Sequence, residues 1–261
     1  MRLIACILFW RPLMFAAILT LPCLASAQSV AVRNPQKNIH RLFLLRSADG
    51  KLIGTGDEQA VTQGDLVHSR LTFHFRDGSI DDDDAVFTQD KVFHLLSDHH
   101  IQQGPSFPTL VDFALDVPAG TVTWHDWKNG RDQAHIAYIS MPGNLANGIM
   151  PLMVENFASG SQPMQLSWIA VDWKPLLVTL SVSPSGTASF DPSGTTESAT
   201  QYTIHPILHG VVSFLAPLVS KQPADLHVWI SDQPPPSFLR LTGPFYQDGP
   251  VWSVESTGSM Y

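Results

Sequence analysis

Apolar and polar residues alternate with a period of two in segment after segment of this chain, the pattern of strands with one buried face. Leu71, Phe73 and Phe75 alternate with Arg70, Thr72, His74 and Arg76. Val111, Phe113, Leu115 and Val117 alternate with Asp112, Ala114 and Asp116; a turn at residues 118–120 follows, and Val122 and Trp124 resume the pattern. Val178, Leu180 and Val182, then Leu226, Val228 and Ile230, repeat it later. Between such segments stand Asp49-Gly50, Asp77-Gly78, Asn129-Gly130 and Asp248-Gly249, dipeptides that favour the positive φ of hairpin turns. Asp77-Gly78 predicts a two-residue turn. The Ser/Thr/Gly-rich stretch 183–200 reads as two long hairpin turns around a short strand at 188–190.

Two apolar runs break the alternation. Asn144 is placed to cap a helix in which Leu145, Ile149, Leu152 and Met153 fall at helical spacing, with Pro151 expected to kink or split it. Residues 206–219 hold Val211, Val212, Phe214, Leu215, Leu218 and Val219 and predict a short helix, or a strand and a loop. Neither run is long enough to span a bilayer. The expected class is therefore all-β with one or two short helices: an antiparallel meander curled into an open or half barrel, its mouth crossed by the apolar helix. A two-sheet β-sandwich is the alternative.

The first residues follow a different rule. Arg2 and Arg11 precede an apolar run over residues 13–24, and Ala25-Ser26-Ala27 supplies the small-x-small pattern of a signal-peptidase site. This predicts a secretory signal over 1–27, cleavage between Ala27 and Gln28, and a single β-rich domain over 28–261, periplasmic or extracellular. Cys23 could instead accept a lipid, but Pro22 stands where lipoprotein signals carry a small residue. Cys6 and Cys23 both lie in the signal, so the remaining chain would have neither disulfide nor thiol nucleophile. Removing the signal's two basic residues takes the formal charge from -8 to -10, which argues against nucleic acid and anionic membrane surfaces.

Candidate chemistry is sparse. If the strand beginning at Val92 runs on regularly, His94, Asp98 and His100 share one face while Phe93 and Leu95 point into the core. That would be a His-Asp-His set suited to zinc or iron. Asp81, Asp82, Asp83 and Asp84 would alternate faces on a strand, lack the order of a calcium loop, and read as a solvated hairpin end. No Gly-x-Ser-x-Gly elbow is present, and Gly54-Thr55-Gly56 lacks the third glycine of a nucleotide loop. No cofactor is implied. Most of the tryptophans fall in alternating strands, where packing explains them better than sugar stacking.

The segment His227-Val228-Trp229-Ile230-Ser231-Asp232, the prolines at 234–236 and then Phe238-Leu239-Arg240-Leu241 resemble the closing strands of exported bacterial proteins of unknown function. Those proteins are similar to the curved-sheet lipoprotein carriers of the periplasm. The resemblance covers about the last third of the chain and implies a half barrel holding an acyl chain or another apolar ligand. It carries over no catalytic residue. The favoured expectation is a non-enzymatic carrier for a lipid or other hydrophobic small molecule, its cavity lined by Leu145, Ile149, Met153, Val212, Phe214 and Leu215. The alternatives are a metal-assisted hydrolase built on His94, Asp98 and His100, and a structural envelope protein.

Overall fold

The computed structural model describes residues 29–128, 131–157, 162–190, 196–207 and 223–260. Eight strands come first: β1 (Ile39–Ser47), β2 (Leu52–Gln63), β3 (Leu66–Phe75), β4 (Ile80–Gln89), β5 (Phe93–Gln103), β6 (Val111–Asp116), β7 (Thr121–Lys128) and β8 (Arg131–Tyr138). One short helix, α1 (Met150–Glu155), separates them from β9 (Met164–Val171), β10 (Pro175–Phe190), β11 (Glu197–Ile207), β12 (Leu226–Ser231), β13 (Phe238–Gly243) and β14 (Trp252–Met260). All fourteen strands form one antiparallel sheet in the order β8-β7-β6-β5-β4-β3-β2-β1-β14-β13-β12-β11-β10-β9. The sheet does not close, so the fold is the expected open, curled meander and not a sandwich. The expected signal over 1–27 and most of the apolar run 206–219 lie outside the described residues.

Side chains prove the curl. His100 on β5 and Trp168 on β9 line one cavity, yet ten strand spacings separate them, roughly 48 Å in a flat sheet. The concave face is apolar along almost every strand: Phe43 and Leu45, Phe73 and Phe75, Phe113 and Leu115, Val178 and Leu180, Val228 and Ile230 are all buried. At one end Phe75, Phe107, Phe245 and Trp252 pack edge to face, with Phe75 and Phe245 each 5.0 Å from the Trp252 ring. At the other end the segment before β1 crosses the opening. Phe93 donates to the Val30 carbonyl, and Gln36 and Gln89 exchange side-chain-to-backbone hydrogen bonds of 2.6 and 2.8 Å.

Several local expectations change. Gly50 and Gly78 adopt φ of 83° and 89° as their turns require, but Phe75 accepts from Gly78 and pairs again with Ser79, so the loop has three residues and a glycine bulge. The Ser/Thr/Gly-rich stretch is one long hairpin. β10 runs unbroken to Phe190, with residues 184–186 forming a bulge where a turn was expected. The helix is shorter than its apolar spacing, and Asn144 does not cap it. Residues 144–147 instead lie along the outer edge of β9. Ala146 donates to the Ser167 carbonyl, and the Asn147 side chain both donates to and accepts from Ile169 at 2.9 Å. Pro151 opens the helix and does not kink it, since its missing N–H falls in the first turn.

Candidate ligand-binding cavity

α1 and the residues before it fill much of the trough, and a cavity of about 220 Å³ remains between them and the sheet. Its wall is largely apolar: Phe43, Leu71, Phe73, Phe87, Trp168, Phe238, Leu241 and Val254 from the strands, Ile149 and Leu152 from the helical segment. Its floor is charged, with Arg41, Glu58, Asp81, Asp83 and His100. Alternation explains why they point inward. Asp81 and Asp83 share parity with buried Ala85 and Phe87 on β4, Arg41 with Phe43 and Leu45 on β1, and Glu58 with Gly56 and Ala60 on β2. The absent side chain of Gly56 gives Phe73 its place, because a Cβ there would stand 2.6 Å from the ring.

The polar groups form two clusters. In the first, Arg41 donates to Glu155 of α1 at 3.0 Å and lies 3.8 Å from Glu58, while Glu155 also accepts from the Phe238 amide at 2.9 Å. Burial raises both glutamates above the usual carboxylate range, and the guanidinium opposes the shift. In the second, His100 Nδ1 bonds Asp83 at 2.8 Å, and Gln102 donates to Asp81 at 2.7 Å. Burial pushes Asp81 up to about 6 against the pull of His100. For His100 burial acts downward, but the carboxylates of Asp83, Asp81 and Asp98 outweigh it and lift the imidazole to about 10. The donor atoms of Asp81, Asp83 and His100 all lie within 4.8 Å of one another, a spacing that could also serve a divalent cation.

Asp98 stands apart. It is 2% exposed, faces the same interior diagonally across from Asp83, and neither of its oxygens has a hydrogen-bond partner. Burial, reinforced by Asp83, holds its pKa well above the usual value. Gly148 of the cavity wall lies against it at φ 66°, and a Cβ there would come within 2.5 Å of Asp98 Oδ1.

The His-Asp-His set expected from the sequence is not assembled. Val86 pairs with Ser97 and Phe87 with Leu95, so Leu96 is an extra residue that reverses the parity of β5. His94 is exposed on the outer face, whereas Phe93, Leu95, Asp98 and His100 all point inward. The four-aspartate run is likewise no solvated end. Asp81 and Asp83 line the cavity, Asp82 is buried on the outer face by Arg70 and Thr72, and Asp84 alone of the four is exposed. Of the expected apolar lining, Ile149 borders the cavity, while Leu145 and Met153 are buried in the core beside it. Val212, Phe214 and Leu215 lie outside the described residues. Arg41 and Glu58 also carry a signal in the sequence, since each is a charge at the parity of a buried strand face.

An open antiparallel sheet wrapped around a cavity with an apolar wall and a charged floor defines an all-β protein of barrel-like architecture. Among solved structures the chain is similar to a protein from Brucella abortus described as a β-barrel-like protein of domain of unknown function DUF1849, with 9% identity, covering 87% of this chain and 99% of that one at a TM-score of 0.47. No protein-family model matches the chain. No curated protein matches it. Among the described residues no helix is long and apolar enough to cross a membrane.

Proposed function

We propose that this is an exported, non-enzymatic binding or carrier protein that holds an apolar small molecule, such as a short acyl or alkyl chain, inside the curled sheet. One observation carries the reading: a cavity of about 220 Å³ with a mainly apolar wall persists in an interior that proteins otherwise pack nearly without voids. Its size favours a small guest. It exceeds the roughly 150 Å³ void known to take up benzene, yet falls short of the roughly 300 Å³ at which drug-sized pockets begin. The resemblance of the closing strands to exported bacterial proteins of unknown function, and Ala25-Ser26-Ala27, support the same reading and its location outside the cytoplasm.

The hydrolase reading loses its original ligand set to the Leu96 bulge. Asp81, Asp83 and His100 could replace it, but His100 is held as an imidazolium by Asp83 and would have to give up that proton to become a ligand. Binding is tested by titrating the full chain with a fluorescent apolar probe. The wild type should bind at about 10 μM or tighter, and Leu71→Trp, which fills the cavity from β3, should weaken binding at least about tenfold while circular dichroism stays unchanged. A wild type that leaves the probe free would overturn the proposal.

A further inference from the structure

The interior is unbalanced in charge. Among the described residues that face it, Glu58, Asp81, Asp83, Asp98 and Glu155 supply five carboxyl groups against two bases, Arg41 and His100. Both bases are engaged, Arg41 by Glu155 at 3.0 Å and Glu58 at 3.8 Å, and His100 by Asp83 at 2.8 Å. Asp81 is met by the neutral amide of Gln102, and Asp98, buried on the same face, has no hydrogen-bond partner at all. From this we propose, resting on the binding reading above, that the guest is an amphiphile with a cationic head, a primary alkylammonium, seated on Asp81 and Asp83 with its chain against the apolar wall.

The chemistry of the floor supports this head group over others. An ammonium offers three donors, and the Asp81 and Asp83 oxygens lie within 4.8 Å of each other, close enough for one nitrogen to reach both. Such a head leaves the Asp83–His100 pair in place, whereas a divalent cation needs the imidazole deprotonated. A carboxylate head would add a fourth acid to a cavity already lined by Glu58, Asp81 and Asp83, whose two bases are engaged, and an unpaired charge in a dry interior is strongly disfavoured. The unpartnered carboxyl of Asp98, diagonal to Asp83, leans in the same direction. Fatty acids, the obvious guests for a barrel-like carrier, are therefore the wrong sign.

Three ligands of equal chain length decide the matter: octylamine, octanol and octanoate, each used to displace the apolar probe from the full chain, with chelator present. The titrations belong at about pH 8, where Asp81 is ionised. Octylamine should bind at least about tenfold more tightly than octanol, and octanoate most weakly. Asp81→Asn should reduce the amine to the level of octanol, with Asp83→Asn as the second variant if the first fails to fold. Octanol or octanoate binding as tightly as the amine would overturn the cationic head and leave the carrier reading intact. An amine preference that survives both Asn variants, or that persists in Leu71→Trp or Leu241→Trp with the cavity filled, would place the amine on the acidic surface and overturn it too. If neither the probe nor any octyl compound binds, both proposals fall together.

Discussion

Proton affinity is where single residues of this interior leave a measurable trace. His100 is lifted from 6.5 to about 10, so the folded chain holds a proton that the unfolded chain releases. The stability this provides is complete below about pH 6.5 and is lost as the pH rises through 10. Asp81, raised from 3.8 to about 6, acts with the same sign at lower pH: its contribution is complete below 3.8 and is gone once the pH has passed 6. Thermal melts across pH 4 to 10 should therefore fall in two stages, and His100→Gln should flatten the limb that runs up to pH 10 and move the lower stage to higher pH, because the imidazolium no longer pulls the Asp81 pKa down. An alkaline limb that keeps its slope in the variant would mean that His100 is not the group being titrated. The residues behind this behaviour were partly legible in the sequence. Asp81 and Asp83 stand at the parity of Phe87, and following that alternation backward places them inside. What the sequence did not reveal was that a buried floor would tolerate them, because their partners His100 and Gln102 come from a neighbouring strand whose own parity shifts midway.

Elements were legible where their cause is local. Hairpin turns at Gly50 and Gly78 follow from two or three residues and the positive φ that glycine allows, and both formed. The helix starts later than its apolar spacing predicts because the competitor for its first residues is distant. Asn144 and Asn147 find better partners on β9, some twenty residues on, than in a helical turn, and a polar side chain that completes a sheet edge satisfies two backbone groups at once. The bulge in β5 is the other nonlocal event. Leu96 hands its carbonyl to Val117 at 2.9 Å and so lets Phe93, Leu95, Asp98 and His100 all face inward. Deleting Leu96 restores strict alternation, and one half of β5 must then turn its buried side chains to solvent. The deletion should lower the unfolding free energy by at least about 3 kcal/mol in urea titrations. Leu96→Ala, which keeps the extra residue, should cost about 1 kcal/mol or less. Equal losses for the two would show that the side chain matters and the inserted backbone does not.

At the scale of the molecule the sheet has two edge strands and a central seam. β9 is covered by residues 144–147, whereas β8 runs along the surface with Ile136 and Tyr138 exposed. The seam joins the first strand to the last, with Leu45 opposite Val254 and Ser47 opposite Trp252. Cutting the chain between α1 and β9, and joining residue 261 to residue 29, would turn the order into an unbroken meander from β9 through β14 and β1 to β8. Such a permutant should fold to the same far-ultraviolet spectrum and refold faster, since its central pair becomes an ordinary neighbour contact. Slower refolding would place the rate-limiting step elsewhere. For the natural order the seam sets a timetable. A chain delivered from its N-terminus can zip β1 through β8 as they emerge, but the middle of its sheet is the last place to be completed, and until β14 arrives the two half-sheets expose unpaired edges where the core should be. The sheet therefore stays an incomplete object until the nine residues of β14 arrive, and its core is the last part to lose its unpaired edges.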